Sequence, residues 1–328
     1  MSLAINVALA AVSIFLLTVI VCSKVIPVLK SHKVGQKILD IGPRWHKSKE
    51  GTPTMGGICF IMSILFVMAG FFIYYGIRGK ANTLIPLALT LGLATFNGMI
   101  GFIDDFAKLV KKQNEGLLAW QKFALQLVAA VLYVVVMKLT GHIGTSLYIP
   151  YFGIELELGF FYYLFALFVV TGMVNSVNLT DGIDGLASSV TLVIGMLLCA
   201  VSFVFADLPL GLVSDCLMGG TLGFLVYNFY PARVFMGDTG SLFLGGMVVG
   251  SAFMLNNPII VLVFGLVFVL ETLSVILQVA SFKLTGKRIF KMSPIHHHFE
   301  KCGWSEVKIV SVFSAVTVLC CVLAWFGI

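Results

Sequence analysis

The chain has 328 residues, 59% of them hydrophobic and only 11% charged, with a mean hydropathy of +1.04. Such a balance excludes an ordinary soluble domain, and apolar runs of roughly 18 to 25 residues, each able to cross about 30 Å of hydrocarbon, describe a multi-spanning membrane protein instead. The formal net charge of +6 reflects where membrane proteins keep their basic residues and is not a nucleic-acid footprint.

About ten spans are predicted, near residues 3–29, 55–77, 84–103, 119–139, 158–177, 186–205, 210–227, 239–256, 259–282 and 307–328. The fold class is therefore an all-α integral membrane protein, a single polytopic domain over 1–328. The fifth and eighth spans are short and interrupted by glycine or polar residues. With border lysines assigned to the nearer loop, all of the 21 lysines and arginines except Arg78, Lys80 and Lys138 follow spans 1, 3, 7 and 9. Basic residues collect on the cytoplasmic side, which places both termini outside and five loops, after spans 1, 3, 5, 7 and 9, in the cytoplasm. No basic region precedes span 1 and no small-residue cleavage site follows it, so no removable signal is expected. The seven cysteines lack CxxC spacing and predict neither zinc nor a disulfide framework.

After span 1, Lys47 and Lys49 precede the glycine-bearing turn GTPTMGG. Such a turn at a helix start can present backbone N–H groups to an anion. It lacks the GKS or GKT ending of a P-loop, so ATP hydrolysis is not indicated, and topology alone also explains the lysines. At the end of span 3, Asp104 and Asp105 adjoin in GFIDDFAKLVKK, with Lys108 one turn on. Adjacent carboxylates at a membrane boundary repel unless a cation or shared proton relieves them. Magnesium, which takes oxygen ligands and borrows phosphate oxygens from substrate, is the natural candidate; the alternative is a solvated helix end neutralised by Lys108.

Lys122, near the start of span 4, either faces the bundle interior or snorkels to the interface. Residues 140–157 suit a small hairpin outside the cell. After span 5, Asn175, Asn178, Asp181 and Asp184 recur every three residues in NSVNLTDGIDGLAS. On a helix they would share a face, but Gly182 and Gly185 argue for backbone that leaves the helix, which at membrane depth persists only when buried or lining a wet cavity. Four such groups suit phosphate, ribose or base recognition, where an ordinary turn needs one or two.

Between spans 7 and 8, NFYPARVFMGDTGS brings Asn228, Arg233, Phe235 and Asp238. Asp238 stands where it can cap the following helix or, in company with the other aspartates, ligate a metal. Glu271, about halfway along span 9, is expected to be protonated or paired with a neighbour such as Gln278. With Lys122 it makes two ionisable residues inside spans. In the basic loop before span 10, KMSPIHHHFEKCGW, three successive histidines, His296, His297 and His298, do not suit zinc. Near Lys287, Arg288 and Lys291 they suit hydrogen bonds to phosphates or peptide carboxylates.

Three aspartate sites with lysines, asparagines and histidines on one face of an apolar bundle suit phosphoryl chemistry at a membrane. Two anionic phosphates must meet, and metal and lysine charge neutralises both and the transition state. A lipid phosphate reaches such a site from the bilayer and a soluble nucleotide sugar from the cytoplasm.

The segments GTPTMGG, FIDDFAK, NSVNLTDGIDGLA, NFYPARVFMGDTGS and SPIHHHFE resemble, in this order and over nearly the whole chain, the motif set of the bacterial phospho-N-acetylmuramoyl-pentapeptide transferases. That family belongs to the ten-helix polyprenyl-phosphate N-acetylhexosamine-1-phosphate transferases. The resemblance implies a multi-pass enzyme of the bacterial plasma membrane, active on its cytoplasmic face. It would convert UDP-N-acetylmuramoyl-pentapeptide and undecaprenyl phosphate to lipid I and UMP in peptidoglycan synthesis, with magnesium as cofactor and, by the example of relatives, a homodimer as the expected assembly. By the same resemblance Asp104 and Asp105 match the family's aspartate pair, Asp104 as a candidate base toward the lipid phosphate, and Asp238 matches the aspartate linked to magnesium. Asn178, Asp181 and Asp184, with Asn175 beside them, fall around the nucleotide sugar, and Lys49, Leu179, Asn228 and Phe235 around the uridine, Phe235 offering its ring to the uracil. Lys122, His296, His297 and His298 match the family's fourth-helix lysine and histidine motif.

Two other readings compete. Sister enzymes transfer N-acetylglucosamine phosphate, although SPIHHHFE favours the muramoyl branch. A transporter would explain Glu271 and the glycine-interrupted spans, but transporters place polar groups near the midplane, whereas here most lie at cytoplasmic span ends.

Overall fold

The computed structural model describes residues 2–31, 49, 51–111 and 116–328; Lys47 lies outside them. The chain is an all-α integral membrane protein. Its helices are α1 (Leu3–Ser31), α2 (Gly57–Ile77), α3 (Ile85–Lys111), α4 (Ala119–Leu139), α5 (Phe160–Thr180), α6 (Leu186–Val204), α7 (Leu208–Asn228), α8 (Gly237–Met254), α9 (Val261–Phe264), α10 (Leu266–Thr285), α11 (Ile295–Lys301) and α12 (Glu306–Trp325). Among the described residues nine of these are long and apolar enough to cross a membrane.

The eighth predicted span corresponds to α8, an 18-residue helix rich in glycine and serine that is not one of the nine. Its residues from Thr239 to Phe253 are all buried, so it needs no apolar side chains to face lipid. Small residues instead let its neighbours approach. Gly246 and Gly250 lie against Ala94 and Thr90 of α3, and Gly245 lies against the backbone of Val174 in α5. Gly219 and Gly223 of α7 meet the carbonyls of Ala11 and Phe15 of α1 in the same way.

Three local features depart from the sequence expectations. The ninth span is broken at Gly265, which separates the single turn of α9 from α10; a Cβ there would press on the Val261 carbonyl. The histidine loop contains the short helix α11. Asp215, in α7, is a further buried ionisable residue inside a span, with neither carboxylate oxygen hydrogen-bonded among the described residues.

The hairpin between α4 and α5 is present, with β1 (Ser146–Ile149) antiparallel to β2 (Ile154–Glu157). Tyr151 at its turn donates to the Leu323 carbonyl near the end of α12 at 3.0 Å. The hairpin and the C-terminus therefore share one end of the bundle, and the polar motifs gather at the other.

Candidate active site

Asp104 and Asp105 occupy the last turns of α3, both buried, and α3 meets the start of α8 there at close range. A Cβ on Gly101 would run into the Asp238 carbonyl, so glycine permits the approach. Asp105 accepts from Thr239 N at 2.9 Å, Thr239 Oγ1 at 2.7 Å and Asp238 N at 3.3 Å. It thus supplies, from a different helix, the carboxylate that satisfies the free N–H groups opening α8. Gly237 holds φ +75°, and a Cβ there would also meet Asp105.

Of the two roles open to Asp238, capping is not the one this arrangement shows. Asp238 lies in the first turn of α8, whose N-cap is Met236, and its side chain turns to other helices. Lys108 and Lys122 reach its Oδ2 at 3.0 and 2.9 Å. Asn178 donates to its Oδ1 at 2.8 Å and to Ser241 Oγ at 2.8 Å. Lys122 therefore faces the bundle interior and does not snorkel. Asp104 pairs with Lys108 at 2.7 Å and accepts from Leu117 N at 2.7 Å, which ties the start of α4 to α3.

One oxygen from each of Asp104, Asp105 and Asp238 lies within 4.8 Å of the others. Three carboxylates face two ammonium groups, so negative charge is left over at a site whose donors are all hard oxygens. That donor set fits a hard divalent cation.

A second polar group adjoins the first. Gly182 and Gly185 do take the chain out of the helix: α5 ends at Thr180, and Gly185 enters α6 with φ +76°. Lys49 pairs with Asp184 at 2.7 Å and with Glu306 at 2.6 Å. Asp184 also accepts from Ala232 N at 2.9 Å, while its own N–H donates to Glu306 Oε2 at 3.0 Å. Glu306, in the first turn of α12, was not among the sequence candidates, because a glutamate there reads simply as a partner of the helix dipole. Between the groups, burial and then the charges of Asp238, Asp105 and Asp184 push the Asp181 carboxyl well above the usual carboxylate range.

The GTPTMGG turn docks onto the segment around Phe235. Phe235 N donates to Pro53 O at 2.8 Å, and Gly56 and Gly57 donate to Phe235 O and Met236 O, both at 2.9 Å. Phe235 and Leu179 are each half-buried. Asn228 is buried and braces this segment, accepting from Ser188 Oγ at 3.2 Å and donating to Val234 O at 3.0 Å. Asn175 sits a turn deeper than Asn178 and bonds Gln126 at 2.8 Å and Thr171 O at 2.8 Å, joining α5 to α4 away from the acidic centre. Arg233 is exposed.

The three histidines diverge. His296 is fully buried, with Nδ1 3.1 Å from Glu271 Oε2 in a contact that lacks hydrogen-bond alignment. Its ring covers Gly182, which brings it to the Asp181–Asp184 turn. His297 reaches Glu300 at 2.6 Å. His298 accepts from Lys291 N at 3.1 Å. The partner expected for Glu271, Gln278, is engaged elsewhere: it accepts from Ile289 N and Phe290 N and donates to Phe290 O.

Comparison with known proteins covers the same segments. The model of glycosyl transferase family 4 matches residues 87–256, which contain the acidic centre, Lys122 and the Asn178–Asp184 turn. Phospho-N-acetylmuramoyl-pentapeptide-transferase signature 1 matches residues 49–61, from Lys49 through the docked turn. A phospho-N-acetylmuramoyl-pentapeptide-transferase of Clostridium perfringens is 46% identical over 320 residues, 98% of each chain. One from Staphylococcus aureus is 45% identical over 315 residues, 95% of this chain and 96% of its own. Near-full-length similarity of this degree, together with both matching models, shows that the chain belongs to the phospho-N-acetylmuramoyl-pentapeptide-transferase family.

Proposed function

We propose that this chain transfers phospho-N-acetylmuramoyl-pentapeptide from its UDP derivative to undecaprenyl phosphate, giving lipid I and UMP, with magnesium as cofactor. The observation that carries the reading is the convergence of Asp104, Asp105 and Asp238 with Lys108 and Lys122 at the ends of membrane-length helices. In the reaction an oxygen of the lipid phosphate attacks the sugar-bearing phosphorus of the UDP sugar. A new phosphoanhydride bond forms as the old one breaks, and the electron pair leaves with UMP.

Asp104, Asp105 and Asp238 are the residues that would hold the magnesium ion, whose chemistry when bound is to neutralise pyrophosphate oxygens and the leaving UMP. Lys108 and Lys122 hold positive charge beside them, where substrate phosphates can exchange with the carboxylates as partners. Asp104 takes the proton of the lipid phosphate. Asp105, bonded to the start of α8, keeps Asp238 in place. Asn178 fixes the orientation of the Asp238 carboxylate. The Asp181–Asp184 turn and Lys49 receive the nucleotide sugar, with Leu179 and Phe235 as apolar surfaces for the uridine and Asn228 bracing the segment that carries Phe235. His296, backed by Glu271, lies against that turn, and His297 and His298 offer hydrogen-bonding groups to the peptide carboxylates or to the phosphates of the nucleotide sugar.

We further place this end of the bundle in the cytoplasm of a bacterial cell, with both termini outside, from the asymmetry of lysine and arginine. Lipid phosphate then enters laterally from the inner leaflet.

The test is release of UMP by purified, detergent-solubilised protein given UDP-N-acetylmuramoyl-pentapeptide, undecaprenyl phosphate and magnesium, with UDP-N-acetylglucosamine in parallel. Release from the muramoyl donor alone is expected. Release from the N-acetylglucosamine donor alone would move the chain to a sister activity, and none from either with folded protein would overturn the reading.

A further inference from the structure

Lys122 is carried by a helix with little packing to hold it. Only 33% of the membrane-crossing part of α4 is buried inside the bundle, and Trp120, Phe123, Val128 and Val131 face outward. Its partner Asp238 belongs to α8, which is enclosed from Thr239 to Phe253. Apolar contact is not directional, so a peripheral helix needs a polar tie to fix where its side chains arrive.

Such a tie lies one turn deeper. Gln126, buried at 2% exposure, meets the half-buried Asn175 of α5. Asn175 Nδ2 donates to Gln126 Oε1 at 2.8 Å and to Thr171 O at 2.8 Å, and Gln126 Nε2 donates back to Asn175 Oδ1 at 3.4 Å. Among the described residues these reciprocal bonds are the only hydrogen bonds that join α4 to α5.

Residues four or three apart share a helix face, so Gln126 lies below Lys122 and Asn175 below Asn178. Those two upper side chains reach the two oxygens of Asp238, Lys122 at Oδ2 at 2.9 Å and Asn178 at Oδ1 at 2.8 Å. The short Asn178 side chain has little reach to spare. A helix shift of about 1 Å would take its bond beyond hydrogen-bonding range.

We propose that Gln126 and Asn175 are positioning residues, a reciprocal amide pair that sets α4 against α5 so that Lys122 and Asn178 grip Asp238 together. Asn175, expected beside the nucleotide sugar, then serves the acidic centre from below. The kinetic part of this inference rests on the reaction assigned above; the pairing itself does not.

The experiment compares Q126L, N175L, Q126L/N175L and the exchanged pair Q126N/N175Q in the full, detergent-solubilised chain, by melting curves and by UMP release. Each single variant leaves a polar group without its partner, so it should melt lower and lose about tenfold in kcat, since misplacement of roughly 1 Å is costly to turnover. Q126L/N175L should regain most of the melting temperature, because removing both partners can be nearly neutral, yet stay about tenfold slow because an apolar contact fixes no direction. Q126N/N175Q keeps both amides and should return kcat to within about threefold of the unaltered protein. KM for the UDP substrate should stay within about threefold throughout, because no substrate contact is removed.

Full turnover in Q126L/N175L would overturn the proposal, as would a folded exchanged pair no faster than the single variants. A KM for the UDP substrate raised in N175L but not in Q126L would overturn it by returning Asn175 to the nucleotide sugar. Strictly additive melting losses would deny the pairing. Melting needs no substrate, so absence of UMP release from the unaltered protein would count against the assigned reaction and leave the pairing to be judged by the melting cycle.

Discussion

Glu271 Oε2 and His296 Nδ1 meet 3.1 Å apart with neither side chain exposed. Glu271 Oε1 has no hydrogen-bond partner among the described residues, so His296 is the group that compensates this carboxyl, and the ring it holds in place covers Gly182. Truncation to E271A leaves the histidine without its anchor. UMP release is expected to fall about tenfold or more, with a lower melting temperature, because leaving a buried polar group without its partner costs about 1–3 kcal/mol. E271Q retains an acceptor toward the ring and should lose less on both measures. A folded E271A protein with unchanged turnover would show that His296 keeps its position unaided.

Gly101 and Gly92 share α3 and separate two effects of adding a methyl group. At Gly101 the methyl meets the backbone of Asp238 and Thr239, whereas at Gly92 nothing lies within 4 Å. Backbone cannot rotate aside, so G101A must push α8 away from α3 and pull Asp238 from Asp105. Overpacking of this kind costs about 1–3 kcal/mol, and turnover should fall about a hundredfold as the carboxylates separate. G92A should match the unaltered protein in UMP release and melting. Equal behaviour of the two variants would break the link between this contact and the acidic centre.

Much of this site is legible in the sequence, because membrane spans are long apolar runs and polar residues at their ends stand out against them. What adjacency in sequence conceals is direction. Successive residues on a helix point about 100° apart, so Asp104 turns to Lys108 and α4 while Asp105 turns to the start of α8. His296, His297 and His298 fan out for the same reason. The eighth span looks insecure in sequence because a helix enclosed by others needs small residues more than apolar ones. Partners such as Glu271 with His296 are 25 residues apart and follow no period, so only the fold reveals them.

Lys108 bridges Asp104 at 2.7 Å and Asp238 at 3.0 Å, which places its ammonium where it competes with a cation for the same carboxylates. Removing it in K108M should tighten binding of Mn²⁺, used as a spectroscopic stand-in for magnesium, by about tenfold, the worth of one modest charge pair. Turnover should nevertheless fall at least about a hundredfold, because a charge facing the substrate phosphates is gone. Electron paramagnetic resonance titration reads the first effect and UMP release the second. Weaker Mn²⁺ binding in K108M would mean that the lysine organises the carboxylates more than it competes for them.

Glu306 joins three parts of the second polar group: it pairs with Lys49, accepts from the backbone of Asp184 and starts α12. It stands behind Lys49 and Asp184, and its loss should therefore change their placement more than the chemistry at the acidic centre. E306Q keeps the shape and an oxygen for Asp184 N but removes the charge that helps hold Lys49. The expected result is a KM for the UDP substrate raised about tenfold, with kcat within about threefold and the KM for lipid phosphate unchanged. A uniform loss for both substrates would instead indicate a general loosening of α12. A fall in kcat alone would place Glu306 in the chemical step, since an interaction made only in the transition state lowers turnover without altering ground-state binding.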